Sequence, residues 1–127
     1  MNNKIVFDTS AILALIKMEQ GHETVAKHLD NAIVSSVNFS EVATILAREG
    51  FGQDEVIRSL SDTFLHIIDF DSEQAVTVAS IDEFTRHYNL SFADKACLAL
   101  AKFKNLPVLT ANKLWRNLDL NIETKTI

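Results

Sequence analysis

The order of elements along these 127 residues predicts an α/β fold, a single domain spanning residues 1–127 in which helices sandwich a mostly parallel sheet. Three observations carry this. Short apolar runs alternate with helical stretches, the pattern of strands covered on both faces. Only three glycines and one proline interrupt the chain, which favours long regular elements over irregular loops. At 47% hydrophobic residues the chain can bury a core without disulfide or metal staples.

Lys4 to Phe7 reads as a short buried strand, with helices over Ser10 to Met18 and Glu23 to Leu29. Ala32 to Val37 is a second, continuous strand with β-branched residues. Asn38 to Glu49 follows as a helix closed by Gly50, a residue suited to the left-handed conformation at helix ends. Asp54 to Phe64 is a further helix, and His66 to Phe70 a third strand. Ser72 to His87 is a long helix that ends in the turn Asn89-Leu90. Ser91 to Phe103 carries Ala, Leu and Cys around most of its surface, which predicts a central, buried helix. Val108 to Thr110 is a fourth strand, Asn112 to Asn117 a short helix, and Asn121 to Thr126 a fifth strand at the sheet edge.

Composition narrows the function classes. A single cysteine, Cys97, excludes an internal disulfide and suits a reducing compartment. Met1-Asn2-Asn3-Lys4 leads into no signal-peptide core, and the apolar run Ala11 to Ile16 is far short of the about 18 residues that a membrane span needs. A soluble, cytoplasmic protein is expected. The net charge of −5 argues against binding nucleic acid by bulk charge, although bound cations would change the local balance at a site.

Three acids sit at corresponding places. Asp8 follows the first strand, Glu41 lies near the start of the helix after the second, and Asp94 lies near the start of the helix leading into the fourth. Each has a plain structural explanation. Asp8 before Thr9 and Ser10 has the place of an N-cap. Asn38-Phe39-Ser40-Glu41 and Ser91-Phe92-Ala93-Asp94 both have capping-box spacing. Negative side chains at helix starts are worth about 0.3–1 kcal/mol in any case. Capping, however, does not require the helix starts to converge. In an open parallel sheet they converge at the carboxyl edge, where ligands bind. Carboxylates gathered there repel one another unless a cation joins them. His22, His28, His66 and His87 show no paired spacing, which argues against zinc. An all-oxygen set points to Mg²⁺ or Mn²⁺ acting on phosphate oxygens. Other phosphate chemistries fit less well. Asp8 lacks the acidic neighbour of a phospho-acceptor domain, position 10 is Ser where an Asp-x-Asp phosphatase needs an acid, and no Walker loop is present.

Four segments in order resemble the PIN-domain ribonucleases, and most closely the VapC-type toxins of bacterial toxin–antitoxin pairs. These are Val6-Phe7-Asp8-Thr9-Ser10-Ala11, Ser36-Val37-Asn38-Phe39-Ser40-Glu41-Val42, Leu90 to Ala101 around Asp94, and Pro107-Val108-Leu109-Thr110-Ala111 with Trp115. The resemblance implies a parallel sheet of order 3-2-1-4-5 and Mg²⁺- or Mn²⁺-dependent hydrolysis of RNA, such as a transfer RNA or another structured RNA. It implies Asp8, Glu41 and Asp94 as catalytic and metal-binding acids, with Ser10 and Thr110 supporting them through hydrogen bonds. A VapB-like antitoxin, a homodimer and a prokaryotic cytoplasm come with it. One position departs from the pattern: where the family's last segment usually has Asp, this chain has Asn112, which would complete the metal set with a neutral oxygen. A catalytically weakened PIN-like module that binds RNA or protein is therefore the alternative reading.

Among other residues, Lys113 and Arg116 flank Asn112 and are candidates for RNA phosphates. Trp115 is expected to pack the last short helix on the sheet, and Cys97 to be an inert core thiol. The helices Ser10–Met18 and Asn38–Glu49 carry enough apolar side chains to offer a groove to an antitoxin helix.

Overall fold

A computed structural model describes residues 3–63 and 66–127. Five strands form one sheet: β1 (Ile5–Phe7), β2 (Ala32–Ser35), β3 (Ile67–Ile68), β4 (Val108–Thr110) and β5 (Thr124–Thr126). Their order is β3-β2-β1-β4-β5, and every neighbouring pair is parallel. The helices are α1 (Thr9–Ile16), α2 (His22–Lys27), α3 (Ser36–Arg48), α4 (Gln53–Thr63), α5 (Ser72–Thr85) and α6 (Phe92–Lys104), with a 3-10 turn at Lys113–Asn117.

Strand side chains alternate between two faces, and so split the core in two. Ile5, Phe7, Ala32, Val34 and Leu109 pack with Ile12, Val42, Leu46, Val56 and Leu60 from α1, α3 and α4. Val6, Ile33 and Val108 pack with Ile81 of α5, Cys97, Leu98 and Leu100 of α6, and Trp115. The result is three layers. As its composition predicts, α6 is the most enclosed helix, with Ala96 to Ala101 all buried.

The strand order places a switch point at β1. The chain moves outward from β1 through β2 to β3, then returns to the other side of β1 as β4. Between parallel strands that diverge in this way a crevice opens at their carboxyl ends. Because α6 runs back to the start of β4, its N-terminus lies at that same carboxyl edge.

Three strands differ most from the sequence expectation, and the helix ends shift by at most about two residues. Strand β2 stops at Ser35, whose Oγ accepts a hydrogen bond from Val37 N at 3.2 Å and caps α3. The strand therefore ends two residues early, and the helix starts at Ser36 instead of Asn38. Strand β3 has only two residues, and beyond it Phe70 N donates to the Ser36 side chain at 3.0 Å instead of to a neighbouring strand. Strand β5 is confined to Thr124–Thr126. Phe64, the expected end of α4, lies outside the described residues.

Candidate functional site

Asp8 stands at the end of β1 as the N-cap of α1 and is 4% exposed. Both of its carboxylate oxygens are bracketed. Oδ1 accepts from Ala11 N at 2.8 Å and from the Ser10 hydroxyl at 2.7 Å. Oδ2 accepts from the Thr110 hydroxyl at 2.6 Å, across 102 residues of sequence. Each hydroxyl is held from behind by a backbone amide. Ala111 N donates to Ser10 Oγ at 2.9 Å, and Asn112 N donates to Thr110 Oγ1 at 3.0 Å. Two hydroxyl relays thus tie the Asp8 carboxylate to the chain leaving β4 and leave it one orientation.

Burial pushes the Asp8 carboxyl above its ordinary 3.8, and the charge of Asp94 adds to the rise, while bonds from Thr110, Ser10 and Ala11 oppose it. A raised folded-state pKa means that the folded protein holds this proton more tightly than the unfolded chain. The stability Asp8 contributes is full below pH 3.8 and is lost as pH rises through the raised value. In metal-free urea unfolding, wild type should accordingly lose stability relative to Asp8→Asn between acid pH and neutrality. A difference that stays constant over that range refutes the linkage.

Asp94 belongs to α6. Its Oδ2 accepts from Ser91 N at 3.0 Å and the Ser91 hydroxyl oxygen accepts from Asp94 N at 3.1 Å, the capping box expected from the sequence. Cys97, one turn further and fully buried, has its thiol held well above the ordinary value, first by burial and then by the charges of Asp8 and Asp94. Both carboxylates therefore act on the same buried thiol, which burial keeps protonated.

Glu41 differs from the expectation. Because α3 begins at Ser36, Glu41 is its sixth residue and lies beyond the first turn. Ser35, and not Asn38, caps the helix, so no capping box forms around Glu41. Among the described residues the half-buried Glu41 carboxylate has neither a hydrogen bond nor an ion pair. Capping no longer accounts for its presence.

Asn38, read from the sequence as a cap, is instead 1% exposed inside the protein. Its Nδ2 donates to Thr9 Oγ1 at 2.9 Å and to Ala93 O at 3.3 Å. These are the neighbours in sequence of Asp8 and Asp94. Nothing local in the sequence signals this link, which spans 29 and 55 residues.

Asn112 is exposed and caps the 3-10 turn, its Oδ1 accepting from Leu114 N at 3.0 Å. That leaves the oxygen one further lone pair. Lys113 is exposed, whereas the Arg116 guanidinium is engaged by the Thr126 hydroxyl on β5. Trp115 is 2% exposed and packs in the core, as expected.

The family model for the PIN domain matches residues 5–120. The chain belongs to the PIN-domain family. No curated protein matches the sequence significantly. Among solved structures, this PIN domain resembles VapBC from Salmonella typhimurium bound to DNA, at 17% identity and a TM-score of 0.78, covering 97% of each chain. It resembles VapBC2 from Rickettsia felis bound to a promoter DNA fragment at 14% identity and a TM-score of 0.76, covering 97% of this chain and 98% of that one. It also resembles VapC20 of Mycobacterium tuberculosis, a toxin that cleaves the sarcin–ricin loop, at 17% identity and a TM-score of 0.66, covering 90% and 94%. At these identities the likeness is one of fold.

The donor chemistry of this PIN domain suits a hard cation: all candidate ligands are oxygens, and a cation's charge would offset the burial and repulsion that act on Asp8. The spacing is looser. Among the described residues, no three acidic, histidine or cysteine side chains converge into a group that could hold a metal ion. Asp8 and Asp94 influence one another electrostatically, and α3, the helix that carries Glu41, packs on both α1 and α6.

Proposed function

We propose that the protein is a Mg²⁺- or Mn²⁺-dependent endoribonuclease and the toxin of a VapBC-type pair. The single observation that carries this is the bracketed Asp8 at the sheet's switch point, with Asp94 close enough to act on its charge. Burial works against a charged carboxylate where a neutral asparagine would cap α1 as well, and active sites are where such groups gather.

A bound Mg²⁺ or Mn²⁺ would supply a nucleophilic water at neutral pH and neutralise charge at phosphorus. Asp8, Glu41 and Asp94 would hold it, with Asn112 as a neutral fourth donor. Ser10 and Thr110 fix both oxygens of Asp8 and keep the anion from turning away. The helix starts of α1, α3 and α6 lie at this edge, so their partial positive ends face an incoming phosphate. Lys113 is placed to add a phosphate contact. Arg116 would first have to leave Thr126.

The test is incubation of the purified protein with total RNA in Mg²⁺ or Mn²⁺ and in EDTA. Cleavage that needs the metal supports the reading, and no cleavage at any metal concentration refutes it. Asn112 favours a second reading, a weakened domain that binds without cutting, because its oxygen is already in use as a cap.

The chain's structural neighbours include toxin–antitoxin complexes, which supports a VapB-like antitoxin as partner. α3, one of the two helices expected to offer an apolar groove, forms one with α4, about 370 Å³ in volume, where Ala43, Ala47, Val56 and Ile57 line it, and we take this as the surface for the antitoxin. Ile57 is half exposed there. Ile57→Asp should weaken antitoxin capture by about 10–100-fold, the range for a buried apolar contact of roughly 1.5–3 kcal/mol. Unchanged affinity by calorimetry would place the partner elsewhere. A homodimer is the expected assembly. Among the described residues no helix is long and apolar enough to cross a membrane.

A further inference from the structure

We propose that Asn38 is a positioning residue for the acidic site, one side chain that fixes how the segments carrying Asp8, Glu41 and Asp94 stand relative to one another. The inference rests on reading those three acids as a metal-binding set. The Asn38 amide nitrogen has two protons, and both are used. One goes to Thr9 Oγ1 at 2.9 Å and the other to Ala93 O at 3.3 Å. Thr9 directly follows Asp8 at the start of α1. Ala93 directly precedes Asp94 in the first turn of α6. Glu41 lies three residues beyond Asn38 on the same face of α3. A single NH₂ group therefore joins all three acid-bearing elements, at a point 1% exposed where water does not compete.

Stability alone does not explain the choice of residue. Asn38 Oδ1 is buried without a hydrogen-bond partner among the described residues, an uncompensated cost. Leucine has the same branching and would leave no orphaned oxygen, but it would give up both links. Serine or threonine offers one donor, not two. Lysine and arginine are too long for so closed a point. Only a short side-chain amide presents two donors from one atom, so the orphaned oxygen reads as the by-product of a nitrogen that must make both links.

The experiment measures binding of Mn²⁺ alone, by calorimetry, to wild type, Asn38→Leu, Thr9→Val and the double variant. Asn38→Leu should stay folded, with a modestly lower melting point for the two lost bonds, yet bind Mn²⁺ about tenfold more weakly, the lower end of the 10–100-fold typical when a partner behind a ligand is lost. Thr9→Val, which cuts one of the two links, should show a smaller loss. The double variant should bind as Asn38→Leu does, since both changes break the same connection. In RNA cleavage the loss should fall on kcat and leave KM nearly unchanged. A folded Asn38→Leu protein whose Mn²⁺ affinity stays within twofold of wild type overturns the proposal, as does a wild type that binds no Mn²⁺. If Asn38→Leu does not fold, Thr9→Val decides, and undiminished affinity there overturns it equally. Wild type that binds Mn²⁺ but cuts no RNA refutes the ribonuclease reading alone, and the affinities of the variants still decide the role of Asn38.

Discussion

Asp8→Asn should leave a folded protein that no longer cuts RNA. Asparagine caps a helix about as well as aspartate, so α1 should still begin at Thr9. Removing the buried charge also removes the cost that burial and Asp94 impose on it, so stability at neutral pH should hold or rise. What is lost is the anion. The amide keeps one acceptor oxygen where the carboxylate had two, and its nitrogen meets one of the two hydroxyls, Ser10 or Thr110, as a competing donor. Disturbing a residue behind a metal ligand commonly costs about 10–100-fold, so losing the ligand charge itself should cost more than about 100-fold in cleavage rate. The check is a time course on RNA at saturating Mn²⁺, with circular dichroism to show that the variant is folded. A folded variant that keeps more than a tenth of the wild-type rate sinks the assignment of Asp8.

Features that depend on nearby residues were legible in the sequence. The N-cap at Asp8 and the capping box at Ser91 and Asp94 each involve residues three apart, and both form as read. The burial of α6 and the positions of the inner strands β1, β2 and β4 follow from apolar pattern, which reports the number of faces an element must hide. The junction after β2 was not legible. Ala32 to Val37 keeps strand-like residues through Val37, but the chain turns into α3 at once because the Ser35 hydroxyl oxygen takes up the Val37 amide. Two adjacent serines gave no local sign of which one caps. This shift of two residues changes the meaning of both Asn38 and Glu41. The first becomes a buried tertiary link instead of a cap, and the second loses its capping role. The bond from Thr110 to Asp8 was likewise beyond local reasoning, since only the placement of β4 beside β1 brings residues 102 apart together.

The arrangement also shows why carboxylates can be concentrated at this edge before any cation binds. Asp8, Ser35, Ser91 and Asn112 each cap a helix or turn start. Parallel strands followed by helices put those starts together, and each contributes unsatisfied backbone N–H groups with partial positive charge. The backbone therefore offsets part of the repulsion between Asp8 and Asp94. The same N–H groups favour phosphate, so the feature that tolerates the acids also attracts the substrate class proposed for them.

Asn112→Asp should tighten Mn²⁺ binding and speed RNA cleavage. The substitution costs the fold little, because aspartate can accept the Leu114 amide as asparagine does and caps as well. It adds a second oxygen and a full negative charge at the exposed rim next to Thr110, whose hydroxyl already accepts from Asn112 N. A unit charge about 4 Å from a divalent ion in water-like surroundings is worth on the order of 2 kcal/mol, and about half that once salt screens it. Affinity for Mn²⁺ should therefore rise roughly 5–30-fold, with a parallel rise in cleavage at subsaturating metal. The two readings of the protein separate here. If wild type is a weakened domain, restoring the acid turns weak cleavage into strong cleavage even at saturating Mn²⁺. If the three acids suffice, the gain disappears once the metal saturates, because only the occupancy of the site was limiting. An Asn112→Asp protein that binds Mn²⁺ no more tightly than wild type shows that position 112 does not face the cation, and the site is then the work of Asp8, Glu41 and Asp94 alone.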